Sequence, residues 1–171
     1  LICPHGSSFP IKAQYAYEQT KSEYIFLVGD DVVYKRGWWT AVMRVACMEP
    51  TAHLIATNDM HNPFVTAGIH ATHPVIRRSY VDEQGSAWDG PGHIAHTGYR
   101  HAYVDNEWTE KAKMDRAFAA ALDAHVDHQH PTWSGGAWDE VYAIGIEYYQ
   151  QDGALFRMRH EHAIATHGAP Q

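Results

Sequence analysis

Cysteine is scarce in this chain, which has only Cys3 and Cys47 among its 171 residues. Two cysteines so far apart form neither a CxxC motif nor the dense framework of a disulfide-stabilised domain. We therefore expect two free thiols and exclude a zinc site built from cysteines.

Long apolar runs are also missing. No stretch approaches the roughly 18 consecutive apolar residues that a membrane-spanning helix needs, and the first residues lack the basic and apolar regions of a secretory signal. These absences predict a soluble, cytoplasmic protein without membrane contact.

The chain has no excess of basic residues: 13 Lys and Arg stand against 20 Asp and Glu, which gives a formal net charge of −7. A protein that holds nucleic acid mainly through a basic surface needs clustered Lys and Arg, so that class is disfavoured, although a local basic patch remains open. Hydrophobic residues make up 45% and charged residues 19%, which is ordinary for a globular protein. The length predicts one domain over residues 1–171.

What the sequence does contain is an alternation of helical and extended segments. The pattern predicts an α/β domain with a mostly parallel sheet flanked by helices. Its predicted elements are a helix over 11–21, a strand over 24–28, a helix over 38–48, a strand over 53–57, a helix from 106 to about 124 capped by Asp105, and a helix near 138–151. The segment 58–104 is rich in Gly, Pro, His and Asn and predicts loops with short strands such as 74–76.

Two adjacent carboxylates, Asp30 and Asp31, end the apolar run in EYIFLVGDDVVYKRGWW. Open α/β sheets place ligand sites outside the carboxyl ends of their strands. Adjacent side chains on an extended strand point in opposite directions, so one acid can hold a divalent cation while the other contacts substrate. The alternative is that the pair forms a turn or caps the helix that starts near Gly37.

The segment SFPIKAQYAYEQTKSEYIFLVGDDVVYKRGWW resembles the middle of family 2-like glycosyltransferases with the GT-A fold, which is Rossmann-like. It looks most like the small glycosyltransferase-like proteins of bacteriophages, and the resemblance extends loosely over residues 5–157. In that family a DxD motif binds a divalent metal and the diphosphate of a nucleotide sugar. Gly29, Asp30 and Asp31 occupy this motif, so glycine replaces its first acid. The resemblance implies that Asp31 is a metal ligand and that Asp30 contacts the donor sugar or ribose.

A second acidic segment, YVDNEWTEKA, is similar to the motif that opens a helix below the acceptor site of these enzymes. The resemblance implies that Asp105 is the general base, a role in which a carboxylate deprotonates an acceptor hydroxyl. Val104 stands where the family has Glu, so Glu107 remains an alternative base. Helix capping alone would also explain Asp105.

Histidine and arginine supply the remaining candidates. His128 and His130 alternate in VDHQHP as they would on one face of a strand, and the resemblance implies that His130 or His128 completes the metal site. Arg77 is a candidate for binding the donor phosphates, because a guanidinium offers paired donors to phosphate oxygens. The alternatives are solvated loop histidines and a surface ion pair.

The resemblance implies an inverting glycosyltransferase that uses Mn²⁺ or Mg²⁺ and moves a sugar from a UDP- or GDP-sugar to a free hydroxyl of a glycan, a protein or a modified DNA base. In the family a nucleotide-binding half precedes the DxD strand, whereas only 29 residues precede Asp30 here. We therefore expect a fold that is truncated at the N-terminus, or a partner chain or missing segment that completes the nucleotide site.

Two other functions remain open at this point. One is a non-catalytic structural or carbohydrate-binding domain that keeps the GT-A-like fold. The other is a metallohydrolase that uses a set of His and Asp residues in the segment 53–73. Its members are His53, Asp59, His61, His70 and His73.

Overall fold

The computed structural model of the chain describes residues 8–135, 138 and 140–168. Cys3 lies outside this part, and Cys47 is an exposed free thiol. The helices are α1 Phe9–Gln19, α2 Trp38–Met48, α3 Pro63–Thr66, α4 Arg78–Glu83, α5 Val104–Met114, α6 Pro131–Ser134 and α7 Glu140–His167. The strands are β1 Tyr24–Phe26, β2 Val32–Tyr34, β3 Leu54–Asn58, β4 Pro74–Arg77 and β5 Phe118–His128.

The strands form one five-stranded sheet in the order β1-β4-β3-β5-β2. The predicted α/β class is confirmed, but the prediction of a mostly parallel sheet is wrong, because the sheet is mixed. Only β3 and β5 pair in parallel, whereas the other three neighbouring pairs are antiparallel. The chain returns from β3 into the adjacent β4 with only the short α3 between them. By contrast, the parallel strands β3 and β5 are joined by a long crossover that contains α4 and α5, as parallel pairing requires.

The helix predicted from 106 to about 124 is also wrong in its second half. It ends at Met114, Arg116 adopts a left-handed conformation with φ of 57°, and Phe118 starts the long strand β5. The alanines that suggested a helix pack under α2, next to Val42 and Ile55. Small side chains let α2 lie close to the sheet, so tertiary packing outweighs the helix propensity of this segment.

The two faces of the sheet pack against two separate hydrophobic cores. Leu54 and Ile76 face the core that contains Trp108 of α5, whereas Ile55 and Val75 face the core beneath α2. This follows from the two-residue period of a strand, which points neighbouring side chains to opposite faces. The sheet is therefore covered by α2 on one face and by α5 on the other.

Helix α7 is longer than predicted, since it continues from Glu140 past residue 151 to His167. It lies against α5 and the loop before α5. Two of its glycines permit close contact there: a Cβ added to Gly145 would lie 2.7 Å from the His101 ring, and one added to Gly153 would lie 3.0 Å from the Tyr103 ring. Within the described part of the chain, no helix has both the length and the apolar character needed to cross a membrane.

Candidate functional site

Polar side chains collect on one side of the sheet, where several strands end. We call this row of strand ends the polar edge. Asp31 follows β1, Asp59 follows β3 and His128 ends β5, while His73 immediately precedes β4. Because β4 runs antiparallel to β1 and β3, its start lies beside their ends. The mixed sheet thus brings together residues from four separate segments, at the kind of position where α/β sheets bind ligands.

Asp31 and His128 are in direct contact at the polar edge. The pairing of Val32 with His128 between β2 and β5 sets them side by side, and Nε2 of His128 donates to Oδ2 of Asp31 at 3.1 Å. The hydroxyl of Tyr142, on α7, donates to the same oxygen. The hydrogen bond from His128 holds the pKa of Asp31 well below its usual range; burial opposes this shift, and the Tyr142 bond adds to it. Asp31 is therefore an ionised carboxylate at neutral pH.

Two further histidines surround this pair. The His73 ring stands edge-on to the His128 ring, with 4.5 Å between centroids, and its Nε2 atom is buried without a hydrogen-bond partner among the described residues. Burial, with a contribution from His128, lowers the pKa of His73 to about 3. His130 lies 5.1 Å from the His128 ring, and its Nδ1 accepts a hydrogen bond from the backbone N–H of Thr132 at the start of α6. His128, and not His130, is thus the histidine that contacts Asp31.

Asp31 and His128 offer a carboxylate oxygen and a ring nitrogen, which are possible ligands of a divalent metal. Nε2 of His128 donates a hydrogen bond to Oδ2 of Asp31, so Nε2 would have to give up its proton before it could bind an ion. No cluster of three His, Cys, Asp or Glu side chains suited to a metal occurs in the described ranges. Mg²⁺ commonly takes only one or two protein ligands and completes its shell with substrate phosphates and water. The pair therefore offers two candidate ligands, and a metal held there would need the rest of its shell from water or a ligand.

Gly29 leaves room for the Asp31 carboxylate. A Cβ atom at this position would lie 2.5 Å from Oδ1 of Asp31, which is closer than non-bonded atoms approach. A larger residue here would therefore require the carboxylate to shift. Glycine lets it keep the position in which Oδ2 contacts His128 and Tyr142.

Asp105 pairs with a histidine that lies 35 positions earlier in the chain. Its Oδ2 atom is 3.1 Å from Nε2 of His70, while Nδ1 of His70 is 3.2 Å from Oγ1 of Thr109 on the same helix. Burial raises the pKa of Asp105, but the hydrogen bond and charge of His70 outweigh it, so the net shift is downward. Asp105 lies in the first turn of α5 and does not cap it, since Tyr103 is the N-cap residue. Its side chain keeps 30% of its surface exposed, and its other oxygen, Oδ1, accepts a hydrogen bond from the backbone N–H of Asn106 at 3.0 Å.

Glu107 differs sharply from Asp105, because it is 1% exposed and fully engaged. It accepts hydrogen bonds from the backbone N–H of Trp88 at 2.9 Å and from the hydroxyl of Tyr99 at 2.7 Å. It also forms an ion pair with Arg159 of α7. The carboxylate that sequence reasoning kept as an alternative base is thus built into the interior between α5 and α7.

The two acidic segments approach each other through His73. The negative charges of both Asp31 and Asp105 act on the His73 ring and offset part of the lowering of its pKa. The pKa of Asp105 in turn responds to His73. One buried histidine therefore lies within electrostatic range of both carboxylates.

Three other residues predicted for the site, Asp30, Arg77 and His53, lie apart from the contact between Asp31 and His128. Asp30 is exposed at the end of β1. Arg77 pairs with Tyr24 at the start of β1, so it lies toward the opposite edge of the sheet, where it donates to the Tyr24 hydroxyl at 3.0 Å. His53 is at that opposite edge too, stacked 5.6 Å from Tyr80.

The sequence did not predict three contacts of the acidic residues: the partner of Asp105, the hydroxyl on Asp31 and the partner of Glu107. These partners are His70, Tyr142 and Arg159. His70 carried a signal only as one of several clustered histidines. The contacts of Tyr142 and Arg159 carried none, because they depend on how α7 folds back across the domain.

Comparison with protein-family models, with curated proteins and with solved structures found no match to this chain.

Proposed function

We propose that this chain is a metal-dependent, inverting glycosyltransferase with a GT-A-like fold that moves a sugar from a nucleoside diphosphate sugar to an acceptor hydroxyl. The observation that supports it most strongly is the convergence of two acidic segments on the short segment from His70 to His73. Asp105 contacts His70, and Asp31 contacts His128, whose ring stands 4.5 Å from that of His73. Donor activation and acceptor deprotonation need two such carboxylates close together.

In the proposed reaction Asp105 is the general base. It accepts the proton of the acceptor hydroxyl while that oxygen attacks the anomeric carbon of the donor sugar. The bond between the anomeric carbon and the diphosphate oxygen breaks, and its electron pair leaves with the diphosphate. The attack comes from the face opposite the leaving group, so the configuration at the anomeric carbon inverts. Exposure favours Asp105 over the buried Glu107 as the base.

Asp31 and His128 would hold Mn²⁺ or Mg²⁺, which supplies positive charge to offset the charge that develops on the diphosphate. Tyr142 donates to the Asp31 oxygen that faces His128 and so fixes the orientation of the carboxylate. Asp30, exposed beside Asp31, is placed to contact the donor sugar or ribose.

His70 has a positioning role in this proposal. Its contact with Asp105 lowers the pKa of that carboxyl and so keeps it ionised and ready to accept a proton. Thr109 fixes the other side of the His70 ring and itself accepts a hydrogen bond from the backbone N–H of Ala71 at 3.1 Å. The base is thus held from both sides by α5 and the segment before β4.

The nucleotide of the donor, UDP or GDP, requires protein surface beyond the polar edge. Strand β1 lies at the end of the strand order, and an edge strand presents backbone groups with which further strands can pair. We propose that a segment or partner chain adds to the sheet at β1 and completes the nucleotide site. The acceptor is a hydroxyl of a glycan, a protein or a modified DNA base.

Calorimetric titration with UDP and GDP, each with and without Mn²⁺, tests this function. We expect nucleotide binding that depends on the metal and is lost in Asp31→Asn but retained in Asp123→Asn, a change of an exposed carboxylate on β5. Nucleotide binding that ignores both the metal and Asp31 would contradict the proposal. If neither nucleotide binds, the chain is better explained as a non-catalytic carbohydrate-binding or structural domain.

A metallohydrolase is the second candidate, and one observation favours it. Three His and Asp pairs lie at or next to the polar edge, each at 3.1 Å or less: His128 with Asp31, His70 with Asp105, and His61 with Asp127. Such pairs also occur in hydrolytic metal sites, where a second group orients each histidine. Release of p-nitrophenol from p-nitrophenyl phosphate or its diester, in the presence of Mn²⁺ and without any acceptor, would favour this candidate over sugar transfer.

A further inference from the structure

A shallow, open cleft lies between α7 and Tyr103, the residue that caps α5. Its volume is about 320 Å³, and it is lined by Tyr103, Tyr149, Gln150, Gly153 and Arg157. This volume is at the lower end of the range for small-molecule sites. Asp105 lies in the first turn of the helix that Tyr103 caps, so the cleft lies at the end of α5 that carries the proposed base.

The position of Tyr103 in this cleft is strongly constrained. It has φ of 65°, a left-handed conformation that is uncommon for a residue with a side chain, and such conformations persist only where surrounding structure enforces them. Asp152 of α7 enforces it here by accepting hydrogen bonds from the backbone N–H groups of Arg100, His101 and Ala102. Gly153 then lets the Tyr103 ring lie directly on α7.

The walls of the cleft combine apolar faces with polar tips. The Tyr103 ring stacks 5.5 Å from Phe156 and lies 5.0 Å from Tyr149. Gln150 adds an amide. A sugar ring has an apolar face of C–H groups and hydroxyls around its rim, which matches aromatic faces next to hydroxyl and amide groups.

Arg157 gives the cleft a positive charge. Arg157 is exposed and, unlike Arg44 and Arg159, forms no ion pair with a carboxylate of the described ranges. Its paired N–H donors are therefore available for a carboxylate or phosphate.

We propose that this cleft is the acceptor subsite and that it takes a sugar with a negatively charged substituent, such as a uronate or a sugar phosphate. The sugar ring lies against Tyr103 and Tyr149, the charged substituent binds Arg157, and a hydroxyl is directed toward Asp105. The assignment as an acceptor subsite rests on the proposed glycosyltransferase function, whereas the binding of an acidic sugar does not.

Protein carrying ¹³C-labelled tyrosine allows a direct test by NMR titration. The ligands are methyl β-D-glucuronide, its neutral counterpart methyl β-D-glucoside, glucose 6-phosphate and inorganic phosphate, and Tyr103→Phe and Tyr149→Phe assign the two ring signals. We expect the glucuronide or the sugar phosphate to shift both signals and to bind about tenfold more tightly than the glucoside. Arg157→Gln should remove that preference, while Arg44→Gln, a change of an exposed arginine on α2, should keep it.

Three results would overturn the proposal: no shift of either tyrosine signal at millimolar glucuronide and sugar phosphate, equal affinity for the neutral glucoside, or equal affinity for inorganic phosphate, which would reveal an anion site only. Folding of Arg157→Gln is checked by the unchanged signals of the other tyrosines. A separate measurement of metal-dependent UDP or GDP binding distinguishes failure of this proposal from failure of the glycosyltransferase function. If an acidic sugar binds but no nucleotide does, the cleft assignment stands and the glycosyltransferase function is rejected. If a nucleotide binds but no acidic sugar does, the glycosyltransferase function stands and the cleft assignment is rejected.

Discussion

Glu107 and Arg159 form a paired contact in the interior: Nε and Nη2 of the arginine donate to the two oxygens of the carboxylate at 2.9 and 2.8 Å. The contact joins the start of α5 to the later part of α7. Asp89 accepts a further hydrogen bond from Arg159 at 2.7 Å. This arrangement gives Glu107 a role in holding α5 and α7 together, whereas Asp105 remains the proposed base.

Glu107→Gln should destabilise the protein strongly. The change leaves the buried Arg159 with only Asp89 as its charged partner, and breaking a buried ion pair costs about 3 kcal/mol. Urea unfolding followed by circular dichroism would measure the loss. Arg44→Gln is the matched control, since its ion pair with Asp123 is exposed and contributes less than about 1 kcal/mol. Equal stabilities for the two variants would show that the buried pair is energetically minor.

Asp105→Asn should change stability little but should remove most of the proposed sugar transfer. We expect a change of less than about 1 kcal/mol in unfolding free energy, as for partly exposed positions, together with loss of sugar transfer by about 100-fold or more. The assay is transfer of labelled sugar from UDP- or GDP-sugars to an acceptor, with donor binding measured in parallel. Donor affinity should stay unchanged. Retained turnover in Asp105→Asn, with turnover lost in a folded Glu107→Gln, would reverse the assignment of the base.

Gly29→Ala should weaken the proposed binding of Mn²⁺ while leaving both proposed ligands, Asp31 and His128, in the chain. The added methyl would meet Oδ1 of Asp31 at 2.5 Å and turn the carboxylate away from His128. Because the distance between metal ligands must match the ion closely, we expect Mn²⁺ affinity to fall about tenfold, near the range seen when a supporting contact of a metal ligand is lost. Electron paramagnetic resonance of free Mn²⁺ would measure it. Gly37→Ala is not a suitable control, because Gly37 has φ of 85°. Asp123→Asn, a change of an exposed carboxylate, is the control and should leave the affinity unchanged.

The contact between His70 and Asp105 should make stability depend on pH. Burial lowers the pKa of His70, but the hydrogen bond and charge of Asp105 outweigh it, so the folded-state pKa lies above the unfolded value. The charged form is therefore favoured in the folded state. Its stabilising contribution is fully present below about pH 6.5, the unfolded value for histidine, and is lost as the pH rises through the higher folded value.

Comparison of wild type with His70→Gln in urea unfolding between pH 5 and pH 9 would detect this dependence, which follows from proton linkage. The difference in unfolding free energy should be largest at the acidic end and shrink toward the alkaline end. His93→Gln, a change of an exposed histidine, should show no such trend. A difference that grows with pH would mean that the pair is not charged in the folded state.

Asp152→Ala should release the loop before α5. Asp152 is 1% exposed, and its carboxylate accepts from three consecutive backbone N–H groups, those of Arg100, His101 and Ala102. Leaving buried donors unpaired costs about 1 to 3 kcal/mol for each group. Hydrogen exchange should show these three amides losing protection while amides in β3 keep theirs. Unchanged exchange at residues 100–102 would show that α7 does not hold this loop.

Local pattern was sufficient to predict part of the fold. The helix over 38–48 was predicted with the bounds that the structure has, and strands were predicted close to β1, β3 and β4. Strong apolar runs bounded by Gly, Pro or Asp produce such signals. The strand β5 was mistaken for helix, because its alanines have high helix propensity when read alone. Their use in packing α2 against the sheet is visible only in three dimensions.

The candidate site was predictable only in its charged members. Asp31, Asp105 and His128 stood out because of their chemistry and their position at segment ends. The contacts between these residues were not predictable, since the contact between Asp31 and His128 depends on the register of β2 against β5. The burial of Glu107 was hidden for a similar reason, because its partner Arg159 lies 52 positions away on a helix whose placement no local pattern reveals.

Helix α7 contacts both acidic segments, through Tyr142 at Asp31 and through Arg159 at Glu107. The 17 positions between these two residues correspond to about 25 Å of helix. Inserting or deleting one residue between them would turn one contact about 100° away from the other, although neither side chain would change. Homologous chains with this site should therefore tolerate substitutions along α7 but keep its length between positions 142 and 159 constant.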